Sequence, residues 1–162
     1  MKNIKMAIFI MVIFFAVGCA KSSALEIGEK APDFSLPDPD GKQVSLSDFS
    51  GKVVILDFFA SWCPPCRQEI PDFIQLEKAY SDKGFAMIGV SLVDAQQTKD
   101  FANKFGINYT VLVDDGKVSN AYGPIRSIPT TFVLDRSGNI TKLYIGFRPK
   151  NVFEADIKAL LK

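Results

Sequence analysis

Histidine is absent from the chain of 162 residues, and its absence removes several kinds of chemistry. Without an imidazole, the protein cannot build a cysteine–histidine nucleophilic pair or a serine–histidine triad. The chain holds only three cysteines, so a four-cysteine zinc site is also excluded. We therefore expect no metal ion and no cofactor.

An excess of charge of either sign is also missing. Nineteen basic residues stand against eighteen acidic ones, and the first eighteen residues contain two of the lysines and no acid. After residue 18 the chain is therefore close to neutral. Nucleic-acid-binding domains normally carry a basic patch or stripe, so we expect no nucleic-acid partner. The length suits a single domain with a hydrophobic core.

The N-terminus has the pattern of an export signal. Lys2 and Lys5 precede an uninterrupted apolar run at 6–17, which suits a signal peptide and is short for a bilayer span. The run ends in Ala-Val-Gly before Cys19, which resembles a bacterial lipobox, where cleavage leaves a lipid-modified cysteine. We predict a signal peptide over 1–18, a tether over 19–26 lipidated at Cys19, and one domain over 27–162. The protein would then be a membrane-anchored lipoprotein facing the periplasm or another extracytoplasmic space.

Two other interpretations of the N-terminus stay open. Ala16 stands where a lipobox usually has leucine. Ordinary cleavage near Ala20 or Ala24 would give a soluble periplasmic protein, and an uncleaved signal would act as an anchor. The cysteine count favours lipidation, because an odd thiol in an exported protein needs an explanation. Lipid on Cys19 leaves one pair, Cys63 and Cys66.

Apolar runs and turn residues along the chain predict a mixed α/β fold. An N-terminal hairpin comes first, and a continuous apolar run at 53–59 predicts a central strand that is buried on both faces. A helix should follow from about Cys63 to Tyr80. The remaining predicted strands lie at 85–90, 110–113, 130–134 and 140–145, and the remaining helices at 96–105, 118–122 and 151–161. Asn151 is the predicted cap of the last helix.

Cys63 and Cys66 stand directly after the central strand, where the first long helix opens. The free N–H groups and positive dipole of a helix N-terminus favour a thiolate at Cys63. The spacing of three residues places Cys66 on the same face, so that Cys63 can attack a disulfide and Cys66 can resolve the mixed disulfide. A structural disulfide across so short a loop would stabilise little, and half a zinc site finds no further ligands.

The segment from Val53 to Arg67, VVILDFFASWCPPCR, resembles the active-site segment of thioredoxins. Three further stretches resemble the TlpA/ResA branch of exported thioredoxin-like reductases: Pro64-Pro65 with Glu69-Ile70-Pro71, the opening GEKAPDF at 28–34, and SIPTTF at 127–132. The resemblance runs from about Ile27 to the C-terminus. It implies a thioredoxin-like fold, with a mixed central sheet flanked by helices and an N-terminal β-hairpin extension.

The resemblance assigns roles to four residues besides the cysteines. Asp57 matches the buried aspartate that exchanges a proton with the second cysteine, and burial should raise its pKa toward neutral. Pro129 matches the cis-proline that faces the cysteines, and Ile128 would present its backbone to an extended substrate. Trp62 would offer an apolar contact beside Cys63.

Each of these functional roles has a purely structural alternative. Asp57 could be bonded to backbone at a strand end, Pro129 could be an ordinary trans proline, and Trp62 could simply cover the edge of the core. Arg67 and Glu69 are interpreted as solvated residues of the first helical turn, and the alternative is that they tune the reactivity of the cysteines.

The predicted function is the extracytoplasmic reduction of protein disulfides. The resemblance implies substrates such as apocytochrome c before haem attachment, and a membrane electron donor of the CcdA/DsbD type. A disulfide oxidase or isomerase is the first alternative. A thiol peroxidase is a weaker one, because such enzymes need a threonine three residues before the reactive cysteine, where this chain has Ala60. A lipoprotein that uses the fold only for binding is the last.

Overall fold

The computed structural model describes residues 25–162. The predicted signal peptide, most of the predicted tether and Cys19 lie outside these residues. The seven strands are β1 Ser35–Pro37, β2 Gln43–Ser45, β3 Val53–Phe59, β4 Phe85–Ser91, β5 Thr110–Val113, β6 Thr130–Leu134 and β7 Ile140–Ile145. The four α-helices are α1 Pro64–Tyr80, α2 Ala95–Phe105, α3 Lys117–Ala121 and α4 Lys150–Leu160. Within the described part of the chain, no helix is both long and apolar enough to cross a membrane.

Five strands form one mixed sheet in the order β5-β4-β3-β6-β7. Strands β3, β4 and β5 are parallel, while β6 is antiparallel to β3 and β7 is antiparallel to β6. The first two strands form the separate antiparallel hairpin that the sequence predicted. The chain therefore has the predicted thioredoxin-like α/β architecture with an N-terminal hairpin.

Strand β3 lies at the centre of the sheet, and every residue in it is buried. Alternate side chains enter two different clusters, as the twofold repeat of a strand requires. Ile55 and Phe59 pack with residues of α1, α2 and α4, whereas Leu56 and Phe58 pack with the hairpin and α3. Burial on both faces, worth about 1.5–3 kcal/mol for each large apolar side chain, fixes the position of this strand and of the residues that follow it.

The prediction of Asn151 as a helix cap is wrong. Helix α4 begins at Lys150, and Pro149 is its N-cap residue, with no side-chain cap bond. The N–H of Lys150 is satisfied instead by the carboxylate of Asp72 on α1, at 3.1 Å. A tertiary acceptor therefore replaces the local cap, because α1 brings an acid to the start of α4.

Candidate active site

Cys63 and Cys66 form a disulfide at the N-terminus of α1, with their Cα atoms 5.3 Å apart. Cys63 is the N-cap residue, and its sulfur accepts the N–H of Cys66 at 3.3 Å. Pro64 and Pro65 occupy the first helical positions, where a missing N–H breaks no helical bond. This N–H and the helix dipole both favour negative charge on the Cys63 sulfur once the pair is reduced.

A cis peptide bond between Ile128 and Pro129 faces the disulfide. The carbonyl oxygen of Ile128 lies 3.7 Å from the Cys63 sulfur, within reach of a thiol proton in the reduced form. Pro129 is buried, and its carbonyl accepts the N–H of Gly146 at 2.8 Å. The structure thus brings together the two cysteines and the proline loop, about sixty residues apart in sequence, as the resemblance predicted.

Trp62 stands immediately before Cys63 with 67% of its surface exposed. A side chain exposed to this degree does not serve as a cover for the core edge. It provides an apolar surface next to the reactive sulfur.

Asp57 lies two residues before the end of buried β3, on the same face as Ile55 and Phe59, which is the face that α1 covers. Its carboxylate accepts one side-chain hydrogen bond, from the hydroxyl of Thr131 at 2.9 Å. Burial raises the pKa of Asp57 to about 7, and the bond from Thr131 only partly opposes this shift. The partner is a side chain on β6 rather than the backbone, and the carboxyl group can exchange a proton near neutral pH.

Glu69 was interpreted as a solvated residue, and this interpretation is wrong. Its exposed fraction is 0%, and one carboxylate oxygen accepts the N–H of Arg148 at 2.7 Å while the other has no partner. Burial, assisted by the negative charge of Asp57, raises the pKa of Glu69 to about 8. Helical spacing could have revealed this position, because Glu69 lies three residues after Cys66 and beside buried Ile70. Arg67, in contrast, is exposed, and its guanidinium lies over the ring of Phe105.

Comparison with known proteins identifies the family. The AhpC/TSA family model matches residues 27–143. The chain belongs to the AhpC/TSA family.

Similarity to individual members and structures identifies the type of activity of this AhpC/TSA-family chain. It is 37% identical over 138 residues to the thioredoxin-like protein YneN of Bacillus subtilis, covering 83% of this chain and 80% of the relative. It is 34% identical over 146 residues to the thiol-disulfide oxidoreductase ResA of Bacillus thuringiensis, covering 87% and 82%. A crystal structure from Chlorobium tepidum, described as a candidate thiol:disulfide interchange protein DsbE, superposes with a TM-score of 0.80 at 41% identity and covers 85% and 99%. The chain is a thiol–disulfide oxidoreductase of the ResA/DsbE type with a Cys-x-x-Cys pair.

Proposed function

We propose that the protein reduces protein disulfides outside the cytoplasm, with apocytochrome c before haem attachment as a representative substrate. The observation that carries the proposal is a buried carboxyl group, Asp57, on the sheet face covered by the helix that bears both cysteines. A base of this kind speeds the closure of the enzyme's own disulfide, which is the step that releases a reduced substrate. Similarity to a thiol-disulfide oxidoreductase ResA and to a thiol:disulfide interchange protein DsbE supports thiol–disulfide exchange as the reaction.

The first step begins with the reduced pair. The Cys63 thiolate attacks one sulfur of the substrate disulfide, forming a Cys63–substrate mixed disulfide and releasing the other substrate sulfur as a thiolate, which takes up a proton. The helix N-terminus stabilises the attacking thiolate. The Ile128 backbone stands beside Cys63, where an extended substrate chain can pair with it.

In the second step, Cys66 resolves the mixed disulfide. Its thiol gives a proton to the Asp57 carboxylate, and its sulfur attacks Cys63, so that the second substrate thiolate leaves and the Cys63–Cys66 disulfide forms. Two electrons pass from the enzyme dithiol to the substrate. A dithiol of a membrane electron donor of the CcdA/DsbD type then reduces the Cys63–Cys66 disulfide.

The same proposal includes the location of the protein. A signal peptide over 1–18 would direct export, and lipid on Cys19 would hold the domain at the membrane through the tether. Mass spectrometry of the N-terminal peptide from membranes checks this part: a diacylglyceryl cysteine as the first residue supports it, and an unmodified residue at 20–25 contradicts it.

An oxidase would use the same cysteines in the opposite direction, and an isomerase would form the same mixed disulfide without net transfer of electrons. Strong oxidants stabilise their reduced form, often with a histidine between the cysteines, and the Pro64-Pro65 dipeptide supplies neither charge nor an N–H donor. For a peroxidase, buried Ala60 lacks the hydroxyl expected three residues before Cys63. Neither alternative is favoured by a contact in the site.

The reduction potential of the Cys63–Cys66 pair tests the proposed direction. Equilibration with dithiothreitol buffers should give a value near or below that of thioredoxin, about −270 mV. A value close to that of a strong oxidant, about −120 mV, would overturn the reductase proposal in favour of disulfide formation. Reduction of an oxidised apocytochrome c by the pre-reduced protein, with the Cys63→Ser variant as control, then tests the substrate.

A further inference from the structure

Large apolar side chains that remain exposed are concentrated at one end of the sheet. Within residues 25–162 there are five of them: Ile27, Trp62, Leu143, Ile145 and Phe147. Trp62 precedes Cys63, Leu143 and Ile145 lie on β7, and Phe147 follows that strand by two residues. Ile27 lies near the opposite end of β7, since the next residue, Gly28, is bonded to Ile140. Exposed apolar surface that clusters in this way is typical of a binding surface rather than of general surface composition.

The register of the sheet links two of these residues to the proline loop. Ile145 pairs with Thr130, the residue after Pro129, and Leu143 pairs with Phe132. Both side chains therefore point to the sheet face opposite Tyr144, which packs on α4 through Phe153. The N–H of Gly146 is bonded to Pro129, so the end of β7 is held directly against the active-site loop.

A groove with a volume of about 220 Å³ lies on this face, between β7 and the segment that leads from α3 to the cis-proline. Its walls are largely apolar: Tyr122, Pro124, Ile125, Phe132, Leu143 and Ile145. Ser127 and Thr130 close the end nearest the proline loop, where the Thr130 hydroxyl donates to the Ser127 carbonyl at 2.6 Å. The groove thus reaches Ser127 and Thr130, the two residues that flank Ile128 and Pro129 in the loop facing Cys63.

We propose that this groove binds an apolar side chain of the oxidised polypeptide that Cys63 attacks. The inference rests on the proposed function, which supplies the polypeptide and places it along Ile128. A chain that is extended beside Ile128 directs alternate side chains toward the protein, and the groove is an apolar recess that begins at the residues flanking Ile128 and Pro129. The groove would select substrates with a large apolar residue at one fixed distance from the target cysteine.

The size of the expected selection follows from the size of the recess. Burying one large apolar side chain in a groove that stays partly open is worth roughly a tenfold preference in the second-order rate constant. The lining holds one charged residue, Arg126, which can pair with an acidic side chain. A neutral polar side chain gains little from the apolar walls.

The test uses pre-reduced full chain and a series of peptides that carry a Cys-Ala-Ala-Cys disulfide. One phenylalanine is moved from the fourth residue before the disulfide to the fourth residue after it, with an all-serine peptide as reference. The single tryptophan, Trp62, lies beside Cys63 and provides a fluorescence signal for oxidation. One register of phenylalanine should react about tenfold faster than the serine peptide.

Matched variants then locate the preference. Ile145→Gln and Leu143→Gln should reduce the preference to below about twofold, whereas Ile27→Gln should keep it. Ile27 is a close control, because its exposed fraction is 61% and that of Ile145 is 59%. No preferred register, or a preference that survives both groove variants, overturns the proposal. So does a dimer that the wild type forms and Ile145→Gln abolishes while the peptide preference is unchanged, because a second copy would then cover the groove.

Binding of an unreactive peptide separates this proposal from the proposed function. The preferred peptide with both cysteines replaced by serine should shift the methyl NMR signals of Leu143 and Ile145 and leave those of Ile27 in place. If these signals shift but the disulfide peptides are not reduced, binding in the groove is supported and the reductase function is contradicted. If the peptides are reduced without preference and no signal shifts, the reductase function is supported and binding in the groove is contradicted.

Discussion

The two ends of central strand β3 differ in how well their polar groups are hydrogen-bonded and their apolar groups covered. At its start, the carboxylate of Asp135 accepts two backbone N–H groups and the Asn139 side chain. Although burial alone would raise the pKa of Asp135, these donors outweigh burial and hold it below its ordinary value. At its end, Asp57 and Glu69 are buried with one hydrogen bond each, while Trp62 and Ile145 are exposed.

The difference separates residues that stabilise the fold from residues that serve chemistry. Satisfied charges and covered apolar groups lower the free energy of the folded state, as at Asp135. Poorly satisfied buried carboxyl groups and bare apolar side chains raise it, and such costs are typical of functional sites. Substitutions at the two ends should therefore have opposite effects on stability and activity.

The largest effect is expected from the cysteines. Cys63→Ser should lower disulfide reduction by at least about 10³-fold, because the remaining thiol, Cys66, is buried and lies inside the first turn of α1 rather than at the N-cap position that favours a thiolate. Cys66→Ser should instead accumulate a covalent complex with the substrate, since the resolving thiol is gone. Non-reducing gels of each variant mixed with an oxidised peptide check both outcomes. A covalent complex with Cys63→Ser would contradict the assignment of the attacking sulfur.

Asp57→Asn should slow the resolution step by about 100-fold, which is the usual contribution of a positioned base. In the wild type, the rate of resolution should rise as the pH passes about 7, because the base form of Asp57 then becomes populated. The variant should lack this rise of the rate with pH. Stopped-flow measurement of mixed-disulfide decay from pH 5 to 9 compares wild type and variant. If the rise near pH 7 persists in the variant, a group other than Asp57 causes it.

The same variant should make the oxidised protein more stable at high pH. The pKa of Asp57 is about 7 in the folded state against an ordinary value of 3.8, so between these values only the unfolded chain loses the proton. Folding stability therefore falls as the pH rises through this window. At pH 8 the raised pKa of Asp57 lowers the free energy of unfolding by up to about 4 kcal/mol, and Asp57→Asn should restore a similar amount. At pH 4 this difference between wild type and variant should disappear. Urea unfolding at the two pH values measures it.

Asp135→Asn is the matched substitution at the other end. It should lower the free energy of unfolding by about 1 kcal/mol near pH 7, because an amide is a weaker acceptor for the turn donors than a carboxylate. Disulfide reduction should keep its wild-type rate. Loss of activity without loss of stability would show that the comparison between the two ends does not hold.

The smallest effect is expected on the second buried carboxyl group. The negative charge of Asp57 contributes to the raised pKa of Glu69, so Asp57→Asn should move that pKa below about 8. Burial, the larger cause, is unchanged, and the pKa should stay above the ordinary value of 4.5. Carboxyl carbon NMR titration of both forms measures the shift. An unmoved midpoint would mean that the two groups titrate independently.

Local patterns were sufficient to predict most of the fold. Strands β3, β5, β6 and β7 lie at the predicted residues, because each is a short apolar or alternating run between clear turn signals. The Cys-x-x-Cys pair and the cis-proline followed from a resemblance with specific motifs. These features depend on residues that are close together in sequence.

Features that depend on contacts between distant segments were missed. The burial of Glu69 requires the loop at Arg148 to close over α1, and the start of α4 depends on Asp72 rather than on Asn151. The exposure of Leu143 and Ile145 depends on whether another segment covers that face of β7, which no alternation within β7 reveals. A sequence pattern gives the faces of an element, and only the assembled fold decides what covers them.

The bonds from Glu69 and Asp72 to the backbone of Arg148 and Lys150 also have a consequence for the order of synthesis. A nascent chain presents Cys63 and Cys66 long before residues 146–150 leave the ribosome. Until then, both carboxylates lack their backbone donors, and the Pro129 carbonyl lacks the N–H of Gly146. The surroundings of the cysteines are therefore completed only by residues 146–150, so that a product truncated before Gly146 carries the reactive thiols without the finished site.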